Sequence, residues 1–100
     1  MDWKLPQNRA LIQALLALKD DTETRHFLRD LMTEGEIEEF AKRFRAAELL
    51  DANVPYSEIE RETGLSSTTV ARVSKWLHGE EGGYRSVLHT LHSRSKNSKV

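Results

Sequence analysis

Apolar residues in this chain recur at three- and four-residue spacing, and no stretch alternates with the period of two that a half-buried strand requires. For 100 residues, that pattern points to an all-α fold of one small domain. The only two prolines and five glycines sit at or near the ends of the periodic stretches, where helices should start or stop. Six helices can be read. The first covers residues 6 or 8 to 19, with Leu11, Leu15 and Leu18 repeating down one stripe beside Ile12 and Leu16. Asp20-Asp21-Thr22 breaks it and caps a second helix over 23–32, whose apolar side is Phe27, Leu28, Leu31 and Met32. Thr33 and Glu36 form a capping box for a third helix over 34–51, which carries Ile37, Phe40, Ala41, Phe44, Ala47 and Leu50. A second box, Ser57 with Glu60, opens a short fourth helix over 58–63 that stops at Gly64. Ser66 or Ser67 caps a fifth helix ending near Leu77. After a loop with Gly79, Gly82 and Gly83, a sixth helix covers 84–91, turning Val87, Leu88 and Leu91 inward. Residues 1–92 are expected to be a single helical domain, and residues 93–100 a basic, disordered tail.

Composition narrows the function. With no cysteine there is neither a disulfide framework nor a thiolate zinc site. No apolar run approaches the ~20 residues of a membrane span. The opening residues Met1 to Pro6 lack the basic and apolar regions of a signal peptide. A cytoplasmic protein with no membrane partner is therefore expected. At 38% hydrophobic residues, the apolar stripes still exceed what one chain of this size can bury, so a partner chain is expected to cover some of them. The net charge of −1 hides an asymmetry. Residues 1–62 hold nine basic and fourteen acidic side chains, and residues 63–100 hold six and two. Between Thr63 and Gly79 the only charges are Arg72 and Lys75, a hint of a polyanionic partner.

Residues 56–75 fit a DNA-reading helix-turn-helix: a short helix, a turn at Gly64, and a second helix held across the first by Ile59, Leu65, Val70 and Val73. Glu60 stands where a small residue usually permits close approach, which predicts a looser contact there. At 100° per residue, Val70, Val73 and Leu77 share a narrow arc of the fifth helix. Ser67, Thr68, Ala71, Arg72 and Lys75 spread over about 140° of the other side. That second face is small, polar and basic, so it can enter a major groove ~12 Å wide. Four consecutive hydroxyl residues, Ser66 to Thr69, are poor surface helix formers, and stability alone does not account for them. Ser57 can offer its hydroxyl and nearby helix amides to a phosphate. The candidate DNA-binding residues are Ser57, Ser66, Ser67, Thr68, Ala71, Arg72 and Lys75.

From about Asn8 to Leu91 the chain resembles the Trp repressor family, above all its YerC/YecD-like branch. The resemblance rests on Leu31-Met32-Thr33 leading to Glu36, Ala41-Lys42-Arg43-Phe44, Tyr56-Ser57-Glu58-Ile59, Thr63-Gly64, Ser67 to Val73 and Gly82-Gly83-Tyr84. It implies an intertwined homodimer of six-helix chains that binds double-stranded DNA at a two-fold symmetric operator, a transcription regulator of the repressor type, with Ser67, Thr68, Ala71, Arg72 and Lys75 facing the DNA. Tryptophan-responsive members carry a glycine after the recognition-helix arginine, which leaves room for an indole. Here Val73 follows Arg72, so L-tryptophan is not the expected effector. The family's second arginine corresponds to Lys42 or Arg43, depending on register. No cofactor is expected, and whether another small molecule acts as effector stays open.

Other constellations carry less. His89 and His92 lie one helical turn apart near His78, but without convergent carboxylates they predict no metal site. Trp76 is expected to pack against the sixth helix or a partner chain. Glu34, Glu36, Glu38 and Glu39 suit a helix N-terminus, and no nucleophile–base pair is readable, so no enzyme is expected. The basic tail either adds phosphate affinity or solubilises the chain. The competing reading is a helical dimer whose hairpin binds a protein and reads no DNA. It draws on the acidity of residues 1–62.

Overall fold

The computed structural model describes residues 1–98, which form six helices and no strand. They are α1 (Pro6–Leu16), α2 (Asp21–Leu31), α3 (Glu34–Asp51), α4 (Tyr56–Thr63), α5 (Ser67–Leu77) and α6 (Gly83–Ser98). No helix among the described residues is long and apolar enough to cross a membrane. Internal contacts divide the chain into two compact units, Met1–Ile37 and Glu38–Val100.

In the first unit, Pro6 at the start of α1 suits a position whose N–H has no helical partner. The helix stops at Leu16, earlier than the expected residue 19. The reason lies in the cap of α2. Asp20 is extended and its carboxylate accepts from the Glu23 amide at 2.8 Å, while the Lys19 amide donates to the Glu23 carboxylate at 3.1 Å. Lys19 is thereby drawn out of α1. The Thr33–Glu36 box forms as expected. The Glu36 amide donates to Thr33 Oγ1 at 3.1 Å, and the Thr33 amide donates to the Glu36 carboxylate at 3.0 Å. Neither α1 nor α2 contains a buried residue. Leu11, Ile12, Leu15, Leu16 and Leu31 are all exposed.

The second unit holds the core. Ala46, Ala47, Leu49 and Leu50 of α3 cluster with Ile59, Leu65, Val70, Val73, Leu77 and Leu88, and Phe44, Val54 and Tyr84 pack against the cluster. Arg45 of α3 donates to Glu62 of α4 at 2.7 Å. This hydrogen bond and the carboxylate's charge raise the Arg45 pKa further above its ordinary value.

Two further expected helix boundaries are corrected. The Ser57–Glu60 box does not form, because α4 begins at Tyr56. Pro55 is its N-cap, and the Pro55 carbonyl accepts from the Glu58 and Ile59 amides at 3.1 and 3.2 Å. Proline's fixed φ sets that cap two residues ahead of Ser57. The sixth helix continues to Ser98 instead of ending at residue 91. Residues 93–98 of the expected disordered tail are therefore helical, while 99 and 100 lie outside the described residues. No glycine or proline follows Gly83 to stop the helix, and each added residue gains one backbone hydrogen bond.

Candidate nucleic-acid interface

The site is built on α4, the turn after it, and α5. Gly64 ends α4 in the left-handed conformation at φ 75°, with its amide donating to the Glu60 carbonyl at 2.8 Å. Thr63 seals the turn from within. Its hydroxyl donates to the Ile59 carbonyl at 2.7 Å and accepts from the Leu65 amide at 3.2 Å. Ser66 is the N-cap of α5. Its hydroxyl accepts from the Thr69 amide at 3.2 Å and donates to the Thr69 hydroxyl at 3.0 Å. The choice left open between Ser66 and Ser67 is thus settled for Ser66.

α5 is two-sided. Val70, Val73 and Leu77 are buried, and Ile59 of α4 is fully buried with them. Glu60 is only partly buried. Its neighbour Ile59 and the facing Val70 and Val73 are nevertheless fully buried. At the far end, Arg85 of α6 donates to the Leu77 carbonyl at 2.7 Å. That places a cation on the C-terminus of α5, where the helix dipole is negative. The sequence reading missed this tie.

Ser67, Thr68, Ala71, Arg72 and Lys75 are exposed on the outer face and line one shallow groove of about 590 Å³. Among the described residues, neither Arg72 nor Lys75 has an ion-pair partner, whereas Arg25, Arg43 and Arg45 do. The groove's sixth lining residue is Tyr56, which the sequence reading left out. An aromatic at the head of the hairpin's first helix was the available signal. Two candidates stand apart. Ser66 uses its hydroxyl in the cap, and Ser57, although exposed on α4, does not line the groove.

A second concavity of about 770 Å³ lies between α3, α5 and α6, with Phe44, Trp76 and Tyr84 among its walls. Phe44 and Tyr84 rings stand 6.4 Å apart. Trp76 is not sealed against α6 within this chain, and 47% of its surface remains open. Its ring lies 6.0 Å from the Arg43 guanidinium, whose other neighbour is the Phe40 ring at 5.6 Å. Such arginine–aromatic stacking contributes about 0.5–1 kcal/mol at partly exposed sites. Of the two residues left open by register, Arg43 is therefore the one that reaches α5, and Lys42 is exposed. Arg43 Nε pairs with Glu39 at 3.5 Å without hydrogen-bond geometry, and that nitrogen is buried with no hydrogen-bond partner among the described residues. Among the described residues, no group of three or more His, Cys, Asp or Glu could hold a metal ion.

Comparison with known proteins follows the same lines. The family model described as Trp repressor protein matches residues 7–92. The uncharacterized protein YerC of Bacillus subtilis is 37% identical over 78 residues, which is 78% of this chain and 75% of that protein. The structure of a TrpR-like protein from Eubacterium eligens superposes with a TM-score of 0.84 at 35% identity, covering 90% of this chain and 93% of that one. A candidate Trp repressor from Staphylococcus aureus gives a TM-score of 0.85 at 27% identity, covering 92% and 95%. The sequence motifs, the six-helix fold and these matches agree, and the chain belongs to the Trp repressor family.

Proposed function

We propose that this protein is a sequence-specific DNA-binding transcription regulator of the YerC/YecD-like branch, acting in the cytoplasm as a homodimer. The observation that carries this reading is the outer face of α5. Small hydroxylated side chains and two cations without ion-pair partners among the described residues stand on a helix whose opposite face is sealed into the core. Ser67, Thr68 and Ala71 leave room for the helix to sink into a major groove. Arg72 can take guanine bidentately, and Lys75 can neutralise a phosphate. Ser57 is assigned a phosphate at the start of α4, and Ser66 fixes the entry of the reading helix through its cap. Family membership supports the same reading.

Dimerisation is supported by the exposed apolar residues of α1 and α2, together with Phe40, Val87 and Leu91. Two hairpins related by two-fold symmetry then read half-sites about 34 Å apart, one turn of DNA. Occupying such an operator represses, and no further machinery is required of the chain. L-tryptophan is not the effector in this reading, because the fully buried Val73 side chain fills the space beside Arg72.

The test is binding to a site selected from a randomised duplex pool, across a salt series. Affinity should fall steeply with salt as phosphate counterions are released. Arg72→Ala should cost about 1–3 kcal/mol on the selected site. A salt-independent affinity with Arg72→Ala silent would favour the protein-binding alternative. Calorimetry with L-tryptophan should show no stoichiometric heat, and tight binding would overturn that part of the proposal.

A further inference from the structure

The groove on α5 is not uniformly polar. Ser67, Thr68, Arg72 and Lys75 supply hydroxyls and cations, but Ala71 and Tyr56 supply a methyl and an aromatic ring. Tyr56 is free of the usual duties of a tyrosine. It is exposed and lies outside the core cluster, whereas Tyr84 packs on that cluster and against Phe44. Among the described residues, its hydroxyl and ring have no hydrogen-bond or aromatic partner. A half-exposed ring with no internal partner, set into the groove of the reading helix, is unexplained by folding. The only methyl group on the floor of the major groove is the C5 methyl of thymine, and it is matched by small methyl-bearing or aromatic side chains.

The geometry points to Tyr56 and Ala71 as a specificity-determining pair that receives the C5 methyl of one thymine in each operator half-site. This inference rests on the DNA-reading proposal and adds to it the identity of one base. Ala71 comes from α5 and Tyr56 from the head of α4, so the methyl is received by both helices of the hairpin. Arg72 and the hydroxyls then read or position the neighbouring nucleotides.

The experiment starts from the site selected by the full chain. Each thymine of a half-site is replaced in turn by deoxyuridine, which removes the methyl and leaves every hydrogen-bonding group in place. For the unaltered protein, one such replacement should weaken binding about fourfold, the effect of burying one methyl. In Tyr56→Ala the same replacement should have a clearly smaller effect, because only the Ala71 half of the receiving pair is left. Tyr56→Phe should keep the fourfold effect, since the ring and not the phenol carries it. Circular dichroism checks that each variant folds, as expected for a side chain outside the core. If no thymine is methyl-sensitive, or if Tyr56→Ala retains the full methyl effect, the inference fails and the DNA-reading proposal stands. If Tyr56→Phe loses affinity on every duplex alike, the tyrosine is a phosphate-positioning residue and the inference is likewise overturned. If the unaltered protein selects no site at low or moderate salt, the DNA-reading proposal itself fails.

Discussion

In the first unit, α1 and α2 carry leucines in good helical phase, yet neither helix buries a residue. In the second, the hairpin of α4 and α5 seals Ile59, Val70 and Val73 completely. The difference is not in periodicity, which is clear in both regions. It lies in what brings two stripes face to face. Between α4 and α5 the chain reverses through Gly64 and Leu65, with Thr63 satisfying the backbone at the turn. Each helix then covers the other's apolar side. The stripes of α1 and α2 have no such closure, so their apolar area is available to something else. An amphipathic helix is therefore a statement of need, and the turn chemistry decides whether the need is met within the chain.

The contrast can be broken most directly at its strongest point. Ile59→Ala removes a fully buried side chain and should destabilise the protein by about 2–5 kcal/mol, read by urea unfolding. A loss below 1 kcal/mol would mean that the hairpin core is less tightly closed than described. On the other side of the comparison, Leu15→Glu places a charge on an exposed stripe. Sedimentation equilibrium should show self-association weakened by at least about tenfold. Unchanged association would remove α1 from the proposed dimer contact. Gly64→Ala tests the closure itself. A Cβ at Gly64 meets nothing within 4 Å, so the cost is purely that of the left-handed backbone, about 1–2 kcal/mol. Equal stability of the alanine variant would show that the turn can relax. The finest comparison is between the two apparent capping boxes. Thr33→Ala should cost about 1 kcal/mol. Ser57→Ala should stay within about 0.5 kcal/mol, since Pro55 starts that helix. Similar losses in thermal unfolding would contradict the difference.

That last pair shows what could be read from the sequence. Thr33 and Glu36 announced α3 correctly, and the observed bounds of that helix are the expected ones. Ser57 and Glu60 carry the same pattern but were outcompeted by a proline two residues earlier. A capping box describes a local option, and a neighbouring residue with a fixed φ can take it first. The tail makes a similar point: it is polar, yet nothing after Gly83 interrupts a helix, and α6 continues to Ser98. In the groove, the residues at 67, 68, 71, 72 and 75 followed from helical geometry alone. Tyr56 could not be placed that way, because its position depends on how α4 crosses α5. The Arg85 tie to Leu77 depends likewise on the path of the loop between α5 and α6.

The two-sidedness of α5 also bears on how such a protein changes over generations. The residues that hold the helix in place and the residues that line its outer groove are different residues. Substitutions at the exposed positions fall outside the mechanisms that produce large stability losses. A lineage carrying this chain can therefore exchange residues 67, 68, 71, 72 and 75 one at a time while every intermediate still folds. Under the proposed function, a duplicated copy would drift toward a new operator along a path with no unfolded steps, and the scaffold beneath would stay the same.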